Sequence, residues 1–120
     1  MSKQKNKKQS KNTAKENKRF QRHFRKFHSK ETTGHPSYVY DEKGNVYKVV
    51  GITGSPKTNG IQNIELERNP EPNNTRKAYI RPNPTEINKG VRNEKLKGWT
   101  FSQGDKKKVN AVIDTPKKKK

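Results

Sequence analysis

The sequence predicts a small α+β domain: a short antiparallel β-sheet or SH3-like barrel, preceded by a basic helix and followed by a second helix. Three observations lead there. Only 23% of the 120 residues are hydrophobic and 34% are charged, too little apolar material for a core built from the whole chain. A domain of about 70–80 residues with solvated ends fits that supply. Apolar residues in the middle fall in short runs separated by Gly, Pro and Asn, the spacing of strands and turns. The basic residues gather at the two ends, outside those runs.

Residues 1–12 are Lys, Asn, Gln and Ser and carry nothing to bury, which predicts disorder in isolation. From Thr13 to His28 the pattern predicts a helix. Thr13 and Glu16 have capping-box spacing, in which each side chain satisfies a free backbone N–H of the first turn. Phe20, Phe24 and Phe27 recur at i, i+4 and i+7 as one apolar stripe, with Lys18, Arg19, Arg22, Arg25 and Lys26 on the other faces. The stripe is expected to dock on the domain core, or to stack bases beside the phosphate-binding cations. The two uses are compatible.

Residues 29–35 break that helix. Ser37–Tyr40 and Val46–Val50 read as the two strands of a hairpin, joined by the turn Asp41–Asn45, in which Gly44 can adopt a positive φ. Gly51–Gly60 is a loop of small and polar residues. Ile61–Glu67 alternates and reads as a third strand, and Arg76–Arg81, closed by Pro82 and Pro84, as a fourth. Residues 83–97 look like a long polar loop, with Trp99 and Phe101 as an apolar anchor beyond it. A second helix is expected to start near Ser102 with Asp105 in a capping arrangement, turning Val109, Val112 and Ile113 to the core. The organisation is thus a basic arm over residues 1–34, a β-rich domain over 35–115 and a lysine tail over 116–120.

The formal net charge is +19. Residues 1–34 hold 12 bases and 2 acids, residues 35–104 hold 11 and 7, and residues 105–120 hold 7 and 2. Basic arms beside a nearly balanced domain predict a polyanionic partner, nucleic acid, bound with strong salt dependence through counterion release. Besides the helix, Arg76 and Lys77 are expected to contact phosphates. Solubilising tails and a membrane surface are the competing readings. The second is disfavoured by the lack of any long apolar run and of any cysteine to lipidate. The N-terminal residues show no secretory pattern, and the expected location is cytoplasmic.

Zero cysteines exclude disulfides and thiolate metal sites, and the P-loop, dinucleotide-glycine and HExxH patterns are missing from the sequence. His23 and His28 are five apart, the wrong spacing for a helical ligand pair. No metal or cofactor is expected. One constellation remains. His35-Pro36 opens the hairpin and Thr53 and Ser55 follow its second strand, so both reach the same end of the sheet. Arg76 or Arg81 would add a fixed cation. A titratable base, hydroxyls and a guanidinium are what metal-free RNA cleavage uses: a group to accept the 2′-hydroxyl proton and donors to stabilise the phosphorane. DNA lacks that hydroxyl, which favours RNA.

The block His35-Pro36-Ser37-Tyr38-Val39, followed by Val49-Val50-Gly51-Ile52-Thr53, resembles the heart of the MazF/PemK toxin family, in which a basic residue before Pro leads one strand and an Ile-Thr motif ends the next. Leu96–Ile113 is similar to the closing pattern of that family. The resemblance covers about half the chain, and His35 stands where the family carries Arg. It implies an SH3-like barrel with sequence-selective endoribonuclease activity, commonly dimeric and inhibited by an antitoxin. The catalytic pair then falls on His35 and Thr53. The alternative function is a non-catalytic RNA- or DNA-binding module whose tyrosines and Trp99 meet the bases.

Overall fold

A computed structural model describes residues 20–28 and 34–114. Its elements are β1 (His23–Phe27), β2 (His35–Lys43), β3 (Val46–Thr53), β4 (Lys57–Thr58), β5 (Ile61–Gln62), β6 (Ile64–Glu65), β7 (Tyr79–Ile80), β8 (Thr85–Asn88), β9 (Asn93–Leu96) and α1 (Gln103–Asp114). Seven strands form one antiparallel sheet in the order β9-β1-β2-β3-β7-β6, with β8 also paired to β3, and β4-β5 is a separate small ribbon. An antiparallel sheet with one C-terminal helix is an α+β arrangement.

The hairpin is the spine. β2 and β3 pair from Ser37↔Gly51 to Lys43↔Val46, with a bulge between Val39 and Asp41. Gly44 takes a φ of 58° in the two-residue turn, a conformation that β-branched residues resist. On its other side β3 is shared: Val46–Val49 pair with β8, and Ile52 and Thr53 pair with β7. The expected third strand is interrupted at Asn63, whose buried amide donates to the Ser55 carbonyl and the Thr58 hydroxyl. Of the expected fourth strand only Tyr79 and Ile80 are strand, extended by the bonds Leu66 N–H to Ala78 O and Arg81 N–H to Gly51 O.

The expected basic helix fails over its described part. His23–Phe27 is a strand between β2 and β9, so folded sheet begins within the segment read as the arm. Thr13 through Arg19 lie outside the described residues. Phe24 and Phe27, three apart, share a face in a helix but oppose each other in a strand. Here the sheet is buried on both sides. Phe24 joins Val50, Ile52, Leu66, Ile80, Phe101 and the helix residues Val109 and Val112, while Phe27 joins Val39 and Val49 beneath Phe20, Tyr47, Ile87 and Val91. The polar loop expected over 83–97 is also corrected, because it contains β8 and β9. Only Ile87 and Leu96 of these two strands reach a core, and the charged pair Glu94 and Lys95 on β9 suits an exposed edge.

At α1 the expectation matches the structure. The Asp105 N–H donates to Ser102 Oγ, and Val109 and Val112 are buried. The Asp105 carboxylate is itself fully buried and accepts the backbone N–H groups of Glu67 and Arg68 at 2.6 and 3.2 Å.

Candidate nucleic-acid interface

Register explains how distant residues meet. Ser37 is opposite Gly51, and carrying that register two residues outward sets His35 opposite Thr53 on the same face. Thr53 is in turn opposite Tyr79, and the backbone bond from Arg81 to Gly51 brings Arg81 over the same strand end. His35, Thr53 and Arg81 therefore line one cleft of about 360 Å³, together with Ser37, Thr58, Asn83 and Thr85. No carboxylate lines it.

Gly51 forms part of the floor. A Cβ there would stand 3.1 Å from Arg81 Cγ, so the missing side chain lets the arginine stem lie across β3. Arg81 Nε is buried and has no hydrogen-bond acceptor among the described residues. An unpaired buried donor costs about 1–3 kcal/mol, which an oxygen ligand in the cleft would offset. The fourth catalytic candidate, Ser55, is placed differently. Its N–H donates to Thr53 Oγ1 at 3.2 Å and its carbonyl accepts from Asn63, and it stays exposed outside this cleft.

His35 and Thr53 also line a second cleft of about 300 Å³ with Asn69, Glu71, Asn74, Arg76, Lys77 and Trp99. Its outer wall is the loop 69–76, held by its own amides. The Glu71 N–H donates to Asn69 Oδ1, Arg76 N–H to Asn74 Oδ1, and Asn74 Nδ2 to Glu71 Oε1. Lys77 and Glu65 form an exposed pair at 2.8 Å, whose hydrogen bond lowers the Glu65 pKa and raises that of Lys77. Arg76 is exposed and has no ion pair among the described residues.

The remaining cationic candidates divide. Arg25 is turned inward: it donates to His23 Nε2 at 2.9 Å and Asn93 Oδ1 at 2.7 Å, and lies 5.2 Å from the Tyr47 ring centroid. Its role in the fold is structural. The acceptor role of His23 Nε2 fits a proton on Nδ1, which faces the Gln21 carbonyl. Burial holds the His23 pKa below its ordinary value against that bond, with Arg25 and Lys95 adding to the effect. Lys26 is half-buried, its stem close over Gly34. Lys18 and Arg19 lie outside the described residues. Arg22 is exposed, donates to Asn110 Oδ1, and lines a third cleft of about 430 Å³ with Lys95, Lys106, Tyr38, Trp99 and Phe101. Lys95 and Lys106 escaped sequence reasoning because they sit on β9 and α1 and meet only through the fold.

Among the described residues no three His, Asp or Glu side chains gather as a metal site, and no helix is long and apolar enough to cross a membrane. No family model, curated protein or solved structure matches the chain.

Proposed function

We propose that this protein binds RNA and cleaves it without a metal, at the cleft where His35, Thr53 and Arg81 meet. The observation that carries the reading is the composition of that cleft: one imidazole, one unpaired guanidinium, the four hydroxyls of Ser37, Thr53, Thr58 and Thr85, and no carboxylate to repel a phosphate. In the reaction the 2′-oxygen attacks the adjacent phosphorus as the His35 imidazole takes its proton. Arg81 and Thr53 donate to the equatorial oxygens of the phosphorane. The P–O5′ bond breaks, the leaving oxygen takes a proton from water, and a 2′,3′-cyclic phosphate and a 5′-hydroxyl remain. The resemblance to MazF/PemK toxins belongs to the same proposal. With it come an SH3-like barrel closed by the strands that share β3, a homodimer, an antitoxin partner and a cytoplasmic setting.

A specific observation favours a second reading, a binding module without catalysis. The His35 imidazole is exposed and has no orienting hydrogen bond among the described residues, and such a bond is what fixes a catalytic tautomer. Incubating the full-length protein with mixed-sequence RNA in EDTA, beside His35→Ala, Thr53→Ala and Arg81→Gln, separates the two. Fragments ending in cyclic phosphate that disappear in the variants support cleavage. Intact RNA that still shifts on a native gel leaves the binding module.

A further inference from the structure

The three clefts are not separate. The Arg81 cleft and the Glu71–Arg76 cleft share His35 and Thr53, and the latter shares Trp99 with the cleft of Arg22, Lys95 and Lys106. Trp99 is half-buried, and the Phe24 ring backs its indole at 5.6 Å between centroids, so the side chain is fixed while it faces both neighbouring clefts. The third cleft has three cations and no carboxylate. The Arg22 partner Asn110 is neutral, and neither Lys95 nor Lys106 has an ion pair among the described residues, so all three charges remain unopposed.

We infer that these clefts form one track for a single RNA strand, with Trp99 as a stacking platform between the cleavage cleft and a second phosphate-binding site made by Arg22, Lys95 and Lys106. This rests on the RNA-binding reading but not on cleavage. Aromatic faces accept any base, and stacking requires the base to be free of a duplex, so the ligand class is single-stranded. The three cations grip phosphates without reading sequence and act on affinity and salt dependence. The track also gives Arg22 a use distinct from that of Arg25, its neighbour on the inward-turned side of β1.

Trp99 is the only tryptophan of the chain, so its fluorescence reports the track directly. The full-length protein would be titrated with single-stranded RNA oligonucleotides of increasing length, with DNA of the same sequence and with a blunt RNA duplex, and gel shifts recorded in parallel. Saturable quenching by the single strand, and its absence with duplex at equal occupancy, is expected. Lys95→Gln with Lys106→Gln should weaken binding about tenfold and reduce the slope of log K against log salt by about 0.7 per contact removed. Arg22→Gln should act in the same direction, and Lys48→Gln, on β3, should not. Circular dichroism confirms that each variant is folded. DNA that quenches as well as RNA leaves the track in place and removes the RNA preference. RNA that shifts the protein without altering Trp99 fluorescence overturns the track while the RNA-binding reading stands. Neither shift nor quenching overturns both.

Discussion

Replacing Asp105 by Ala tests the joint that holds the cleft-forming loop to the rest of the fold. The carboxylate is fully buried in the first turn of α1, where the helix dipole favours a negative charge. Its two acceptor contacts go to the N–H groups of Glu67 and Arg68, immediately before the loop 69–76 that walls the second cleft. Hydrogen bonds to an ionised group contribute about 1.5–3 kcal/mol each, and the two stranded donors regain part of that from water. A net loss of about 3 kcal/mol follows. Lys108, at 3.9 Å and partly exposed, adds little to it. For a domain of this size that corresponds to a fall of about 12–24 °C in Tm. Asp105→Asn keeps one acceptor and should lose about half as much. Thermal unfolding at pH 7 gives the magnitude, and amide exchange gives the place: Glu67 and Arg68 should exchange faster in the variant relative to the amides of β2 and β3. A loss below about 1 kcal/mol, or unchanged protection at residues 67 and 68, would refute the assignment of the carboxylate as the latch.

The two phenylalanines of β1 offer a test of strand against helix. Phe24→Leu and Phe27→Leu should each cost about 1–2 kcal/mol in urea unfolding and add without coupling, because they enter different cores on opposite faces, whereas neighbours on one helical stripe would couple. The lowered His23 pKa predicts stability that is full above the ordinary value of 6.5 and declines as pH falls through it, because the unfolded chain takes the proton first. A His23→Gln variant should have a flatter Tm profile from pH 7.5 to 5, and parallel profiles would remove His23 from the account. Gly51→Ala should displace the Arg81 stem and weaken RNA binding several-fold in an anisotropy titration with Tm changed by only a few degrees, since the strand backbone accepts alanine. Unchanged affinity would mean that Arg81 does not touch the ligand.

The hairpin and α1 were legible because their signals are local: a turn flanked by Val and Tyr runs, and a cap followed by apolar residues at helical spacing. β1 was misread for a physical reason. Phe20, Phe24 and Phe27 satisfy a helical period, and the same spacing is equally compatible with a strand whose two faces are both covered. Nothing local distinguishes the two, because the covering groups come from Phe101 and Val109 on one side and from Ile87 and Val91 on the other. β8 and β9 were missed for the opposite reason. Their pairing with β3 and β1 is backbone bonding that polar sequences such as Thr85–Asn88 can make without an apolar signature. The meeting of His35 and Thr53 could be inferred once the hairpin was seen. Arg81 reached them through a ladder bond, and Lys95 and Lys106 through elements that the sequence did not reveal.

The folded middle of the chain has only a modest excess of basic residues, yet its charge is not evenly spread. Folding places the carboxylates in local partnerships. Glu42 pairs with Lys89, Glu65 with Lys77 and Glu94 with His28, while Glu67 accepts from Ser102 and Glu71 from Asn74. Arg81, Arg76, Arg22, Lys95 and Lys106 have no ion pair among the described residues, and each lines one of the three adjoining clefts, whereas Lys43, Lys48, Lys57, Arg68, Arg92 and Lys97 are also without one and line none of the three. The five that line the clefts differ from the rest in setting, because low-dielectric cleft walls focus their field along the track. Charge reversal at any of the five should slow RNA association more than an equal change at Lys48, which lies outside the track, and the difference should shrink as added salt shortens the screening length.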